Sequence, residues 1–103
     1  MRLIFEVKFQ GLRIEVTLSA SRELVKEGKD LYDVLKILER GYDSSASKRK
    51  PNIIERSIKK GNKEYKAVVA KTEIRYPDGY VEEVWRLIHF GKITYKKGRR
   101  KIK

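Results

Sequence analysis

The chain has no cysteine, a single histidine (His89), two prolines and one glutamine. Without cysteine there is no disulfide framework and no thiolate metal site, and one imidazole cannot build a multi-histidine metal cluster. No phosphate-loop glycine pattern, nucleophile elbow, zinc motif or calcium loop occurs. Glu82 and Glu83 are neighbours in an extended stretch, so they face opposite sides and cannot share a proton or a metal. No cofactor and no metal are expected. Long apolar runs are missing too. The opening residues MRLIFEVKF are too broken by polar ones for a signal peptide, and nothing approaches the length of a membrane span. The expectation is a cytoplasmic protein with no membrane partner. Few Asn and Gln beside many Lys and Glu match the composition of heat-adapted proteins.

Positive charge is what the chain has in excess. Its 103 residues carry 26 Lys and Arg against 14 Asp and Glu, a net charge of +12. That charge is segregated. Residues 1–43 hold eight of each sign, whereas residues 44–103 hold 18 basic and six acidic residues. A uniformly basic surface would serve solubility; a one-sided one suits a polyanion.

Periodicity outlines the elements. Leu3, Phe5, Val7 and Phe9, then Leu12, Ile14, Val16 and Leu18, alternate with mostly polar residues, which predicts a β-hairpin turning at Gln10-Gly11. Ser19 is placed to cap a short helix ending at Gly28. Asp30 opens a second helix, with Asp33 as the return partner of a capping box and Leu31, Val34, Leu35 and Leu38 as its apolar stripe. Gly41 fits the left-handed residue that closes it. Tyr42 to Asn52 reads as a loop. Strands are predicted from Ile53 to about Lys59, from Tyr65 to Tyr76 and from Tyr80 to Phe90. The turns fall at Gly61-Asn62 and Pro77-Asp78-Gly79. A short Ile93-Thr94-Tyr95 segment leads into a basic tail. Grouped strands point to an α+β fold in which two helices cover a three- to four-stranded antiparallel sheet. One domain over residues 1–95 and a tail over 96–103 follow.

Two basic groups are candidates for phosphate contact: Lys48, Arg49, Lys50 and Arg56, with Lys59, Lys60 and Lys63 beyond them, and the tail residues Lys96, Lys97, Arg99 and Arg100. Arginine offers a planar fork to phosphate oxygens, and Tyr42 and Tyr95, beside the two groups, can stack on exposed bases. A solvated, solubilising terminus is the plainer explanation of the tail. Arg86 is unusual, a guanidinium inside Val84-Trp85-Arg86-Leu87-Ile88. It either points into a cleft where an anion joins it or pairs with Glu82 or a helix acid. Counting back through the Pro-Asp-Gly turn sets Thr72 opposite Val84 and Ala70 opposite Arg86. His89 counts onto the opposite face from Arg86, which fits a packed or capping histidine better than a catalyst.

This layout resembles the RelE-like toxin superfamily, closest to its small offshoots of unknown function and the BrnT type. The resemblance runs from about Leu12 to Tyr95, and Asp30-Leu31-Tyr32-Asp33-Val34-Leu35-Lys36-Ile37-Leu38-Glu39-Arg40-Gly41 carries it best. Ser19-Ala20 stands where those offshoots commonly have His-Ala. The resemblance implies contact with RNA and metal-independent cleavage in which Arg86, Tyr95, Arg99 and Arg100 stabilise phosphate charge. The leading expectation is nucleic-acid binding, RNA favoured over duplex DNA because both helices are charge-balanced rather than basic on one face. The rival is an interaction module that forms a homodimer through its amino-terminal hairpin edge, or that binds an acidic protein such as a cognate inhibitor.

Overall fold

The computed structural model describes residues 7–43 and 52–95. The elements run β1 (Lys8–Phe9), β2 (Leu12–Val16), α1 (Leu18–Lys26), α2 (Leu31–Arg40), β3 (Tyr42–Asp43), β4 (Ile53–Lys60), β5 (Lys63–Arg75) and β6 (Val81–Thr94). The class is α+β, as expected, but the sheet is not a three- to four-stranded antiparallel one. All six strands join in the order β1-β2-β6-β5-β4-β3. β2 runs parallel to β6, pairing Ile14 with Trp85, Glu15 with Arg86 and Val16 with Leu87. The other pairings are antiparallel. Alternation shows that β2 has one apolar face; it cannot show which strand lies beside it. Docking β2 on β6 buries Ile14 and extends the ladder of the most apolar strand.

The amino-terminal turn forms as predicted. Gln10 and Gly11 both have positive φ (53° and 81°), the requirement of a two-residue hairpin turn that follows strand twist. The first helix cap differs. Thr17, not Ser19, accepts from the Ala20 N–H at 3.2 Å and donates to the Leu87 carbonyl at 3.1 Å. Its hydroxyl is anchored where β2 leaves β6, so the helix starts there, and Leu18 becomes an exposed helical residue instead of a strand residue. The second cap is as read. Asp30 accepts from the Asp33 N–H at 3.1 Å, and Asp33 accepts from the Asp30 N–H at 3.0 Å.

Gly41 does close α2, but in extended conformation (φ −78°, ψ 177°) rather than left-handed. Glycine is needed for proximity: a Cβ there would stand 2.4 Å from the Ser57 carbonyl oxygen and 2.5 Å from that of Ile37. The same approach pairs Tyr42 and Asp43 with Ser57 and Arg56. The segment read as a loop from Tyr42 therefore begins with a short strand.

β5 and β6 form the spine, in the register counted from the Pro77–Gly79 turn: Thr72 opposes Val84 and Ala70 opposes Arg86. β6 does not stop at Phe90; it continues through Gly91, which opposes Lys66, to Thr94. An irregularity at Val68/Val69 leaves Ile88 without a partner, so Val69 faces Leu87 while Val68 faces His89. One extra residue reverses the alternation. Trp85, Leu87 and Phe90 thus all enter the core beneath the helices, with Val69, Ala67 and Tyr65. Two aromatic pairs brace it, Phe9 with Trp85 at 5.9 Å and Tyr65 with Phe90 at 6.2 Å between ring centroids. α1 lies on β6, and α2 on β4 and β5. Among the described residues no helix is long and apolar enough to cross a membrane.

Candidate functional site

At the β4–β5 turn, Gly61 takes positive φ (62°) and the two strands close with Lys60 opposite Lys63. Alternation then sends neighbouring side chains to opposite faces of the sheet, and each face meets different company. On the helix face, Lys60 joins Lys29, Lys36 and one acid, Asp33, around a small cleft floored by Ile37, Ile58, Tyr65 and Phe90. Lys29 Nζ sits 4.6 Å from the centroid of the Tyr65 ring. The cleft holds about 60 Å³, room for a few waters and too little for a base.

On the other face, Glu64 opposes Lys59 and Ile93. Two phenols converge on it. Tyr42 donates to Glu64 Oε2, and Tyr95 donates to Oε1 at 2.5 Å. These bonds hold the Glu64 carboxyl below its ordinary range, Tyr42 contributing most. They push the Tyr42 phenol up to about 12 and raise that of Tyr95, because losing either proton would set a phenolate against a carboxylate. Lys59 Nζ lies 5.8 Å from the Tyr95 ring centroid. The backbone of Tyr95 is tied to the turn: its N–H donates to the Asn62 carbonyl at 2.7 Å, and Asn62 Nδ2 donates to the Tyr95 carbonyl at 3.1 Å. Both tyrosines remain nearly half exposed.

Lys29, Lys36, Lys59, Lys60 and Lys63 have no carboxylate within 4.0 Å among the described residues. Toward the Pro77–Gly79 turn the pattern inverts. Arg13 makes two bonds of 3.1 Å to the oxygens of Glu82, which Tyr76 also bonds at 2.8 Å. Arg75 meets Glu73 at 3.0 Å. The Arg13 bond is the main reason the Glu82 carboxyl is lowered.

Arg86 belongs to this paired region. Its Nε and a terminal nitrogen reach Glu15 Oε1 at 3.0 and 2.8 Å, so its partner is the neighbouring parallel strand, neither Glu82 nor a helix acid. Arg86 and Tyr95 are not brought together; nine positions of mostly extended chain separate them by up to roughly 30 Å at the usual rise per residue. Arg56 is also engaged within the protein. It meets Asp43 at 3.2 Å, donates to the Leu38 carbonyl, and lies 5.9 Å from the Phe9 ring centroid. His89 is corrected: the unpartnered Ile88 turns it onto the face of Arg86. Lys48, Arg49, Lys50, Lys96, Lys97, Arg99 and Arg100 lie outside the described residues.

Sequence reasoning missed Glu64 as a shared acceptor and the arrival of Lys29 from the α1–α2 connection and of Lys36 from α2. The Gly61-Asn62 turn, counted outward, would have put Glu64 beside Lys59. Nothing in the chain order brings those two lysines there, because that depends on how α2 docks. Among the described residues no group of three or more His, Asp and Glu could hold a metal ion. Comparison with protein-family models, curated proteins and solved structures finds no match for the chain.

Proposed function

We propose that this protein binds nucleic acid, RNA in preference to duplex DNA, through the β4–β5 turn end of its sheet. One observation carries the reading: Lys59, Lys60 and Lys63, with no carboxylate within 4.0 Å among the described residues, gather there beside Tyr95, while the arginines toward the other turn are neutralised within the protein. Unneutralised cations crowded at one pole repel one another, and phosphates relieve that repulsion while releasing counterions. The helices offer no basic face to a major groove, which favours RNA with accessible single strands. Titration of a labelled RNA across salt concentrations tests this. If about six cations meet phosphates, log K falls with log salt at a slope near −4 for a single strand. Binding that ignores salt, or no binding at all, overturns the proposal.

RNA cleavage is a second reading, favoured by the shared face of Arg86 and His89. Metal-independent phosphodiester cleavage needs a base and a cation near the developing charge; on this reading His89 is the base, and Arg86 must leave Glu15, which it meets at 2.8 Å, to serve as the cation. Incubation of long RNA with the protein in chelator, beside a His89→Ala control, decides it. Cleavage lost in the control supports the reading, and an intact substrate with the unaltered chain rejects it.

A further inference from the structure

We propose that the face of the β4–β5 turn end carrying Tyr42 and Tyr95 takes unpaired bases of single-stranded nucleic acid, stacked on the two phenol rings, with Glu64 as the positioning residue. This rests on the nucleic-acid reading above and adds what is recognised: the base, and not the phosphate alone.

The case is geometric. Tyr42 on β3 and Tyr95 just past β6 lie on opposite flanks of the paired strands β4 and β5. Their hydroxyls nonetheless reach the two oxygens of one carboxylate, Tyr42 on Oε2 and Tyr95 on Oε1. An exposed tyrosine ordinarily samples several rotamers and loses that freedom on binding. Here each phenol is held at its outer end, and Asn62 fixes the Tyr95 backbone on both sides. With the hydroxyls engaged, the surface left open is ring. Rings already held in place cost less entropy when a base stacks on them. One cation stands next to them, Lys59 beside the Tyr95 ring, while Lys60 and Lys63 of the same turn face the helix side and meet a strand that wraps the end of the sheet. A duplex hides the faces of its bases, so this surface discriminates in favour of single strands.

The test compares a short oligouridylate with an abasic strand of equal length and charge, both titrated against the full chain at one salt concentration. The oligouridylate is expected to bind at least about fivefold tighter, the lower end of what one stacked base contributes. The double substitution Tyr42→Ala, Tyr95→Ala should erase that difference, read as the ratio of the two affinities, because releasing Glu64 toward Lys59 lowers the binding of both strands alike. Glu64→Gln removes a charge that repels phosphate, so both strands gain affinity. A positioning role adds a fall in the ratio between the two, which simple charge removal would not cause. Equal binding of both strands by the unaltered chain overturns the inference while leaving the nucleic-acid reading intact. Binding of neither overturns both. That comparison needs no variant, so a substitution that fails to fold does not shelter the idea.

Discussion

The two ends of this sheet both set basic side chains near glutamates and tyrosines and treat charge in opposite ways. Toward the Pro77–Gly79 turn, Arg13, Arg75 and Arg86 each face a glutamate, and Tyr76 adds a second donor to Glu82. At the Gly61-Asn62 turn, Lys59, Lys60 and Lys63 have no carboxylate within 4.0 Å among the described residues, while the nearby glutamate is taken by two tyrosines. Net charge alone would not distinguish these regions. Arginine's planar fork suits a fixed pair with carboxylate, whereas a lysine ammonium is a mobile point charge that phosphate can recruit. A glutamate engaged by phenols leaves the adjacent lysines available. Where the acids are spent matters as much as where the bases lie.

Substitutions can pull the two ends apart. The largest effect is expected for Lys59→Ala, Lys60→Ala and Lys63→Ala combined. RNA affinity should fall at least about tenfold at low salt, with the salt slope shallower by about 2. Thermal stability should stay unchanged, because no ion pair is lost; fluorescence anisotropy and a melting curve report both. Arg86→Ala should do the reverse. It leaves Glu15 without its partner and lowers stability by about 1 kcal/mol, the upper end for a partly exposed pair, with RNA binding within about twofold. Equal loss of binding in the two variants would erase the distinction between the ends.

The pH responses are smaller and differ in sign. Glu64 and Glu82 titrate below their ordinary value of 4.5, so their stabilisation is present above that value and lost as pH falls through the depressed one. Melting temperatures should therefore drop below about pH 4.5, and Arg13→Gln should remove the larger part of the Glu82 share, leaving what the Tyr76 bond contributes. Tyr42 is raised from 10.0 to about 12, so its contribution is complete below pH 10 and disappears as pH rises through about 12. Tyrosinate absorbance should reveal a late-titrating phenol that Glu64→Gln returns toward the ordinary value.

Much of the local structure was legible in the chain. The Asp30–Asp33 box, the three hairpin turns and the register of Arg86 against Ala70 followed from spacing, because each depends on residues close in sequence or tied by one turn. His89 shows where counting fails. One unpartnered residue, Ile88, reverses the faces of everything after it, and no local signal announces it. Ser19 lost the cap to Thr17 for a similar reason: the Leu87 carbonyl that anchors the Thr17 hydroxyl is 70 positions away.

By itself the sequence determined an α+β chain with segregated positive charge, its helices, most of its strands and the turns between them, since periodicity and turn chemistry act over a few residues. Tertiary structure decided which charges are spent. The parallel docking of β2 on β6 gave Arg86 to Glu15, and the short β3 strand brought Tyr42 to Glu64. Those pairings depend on which strand lies beside which, and strand neighbours are chosen by burying apolar faces over long range rather than by the charges that end up side by side.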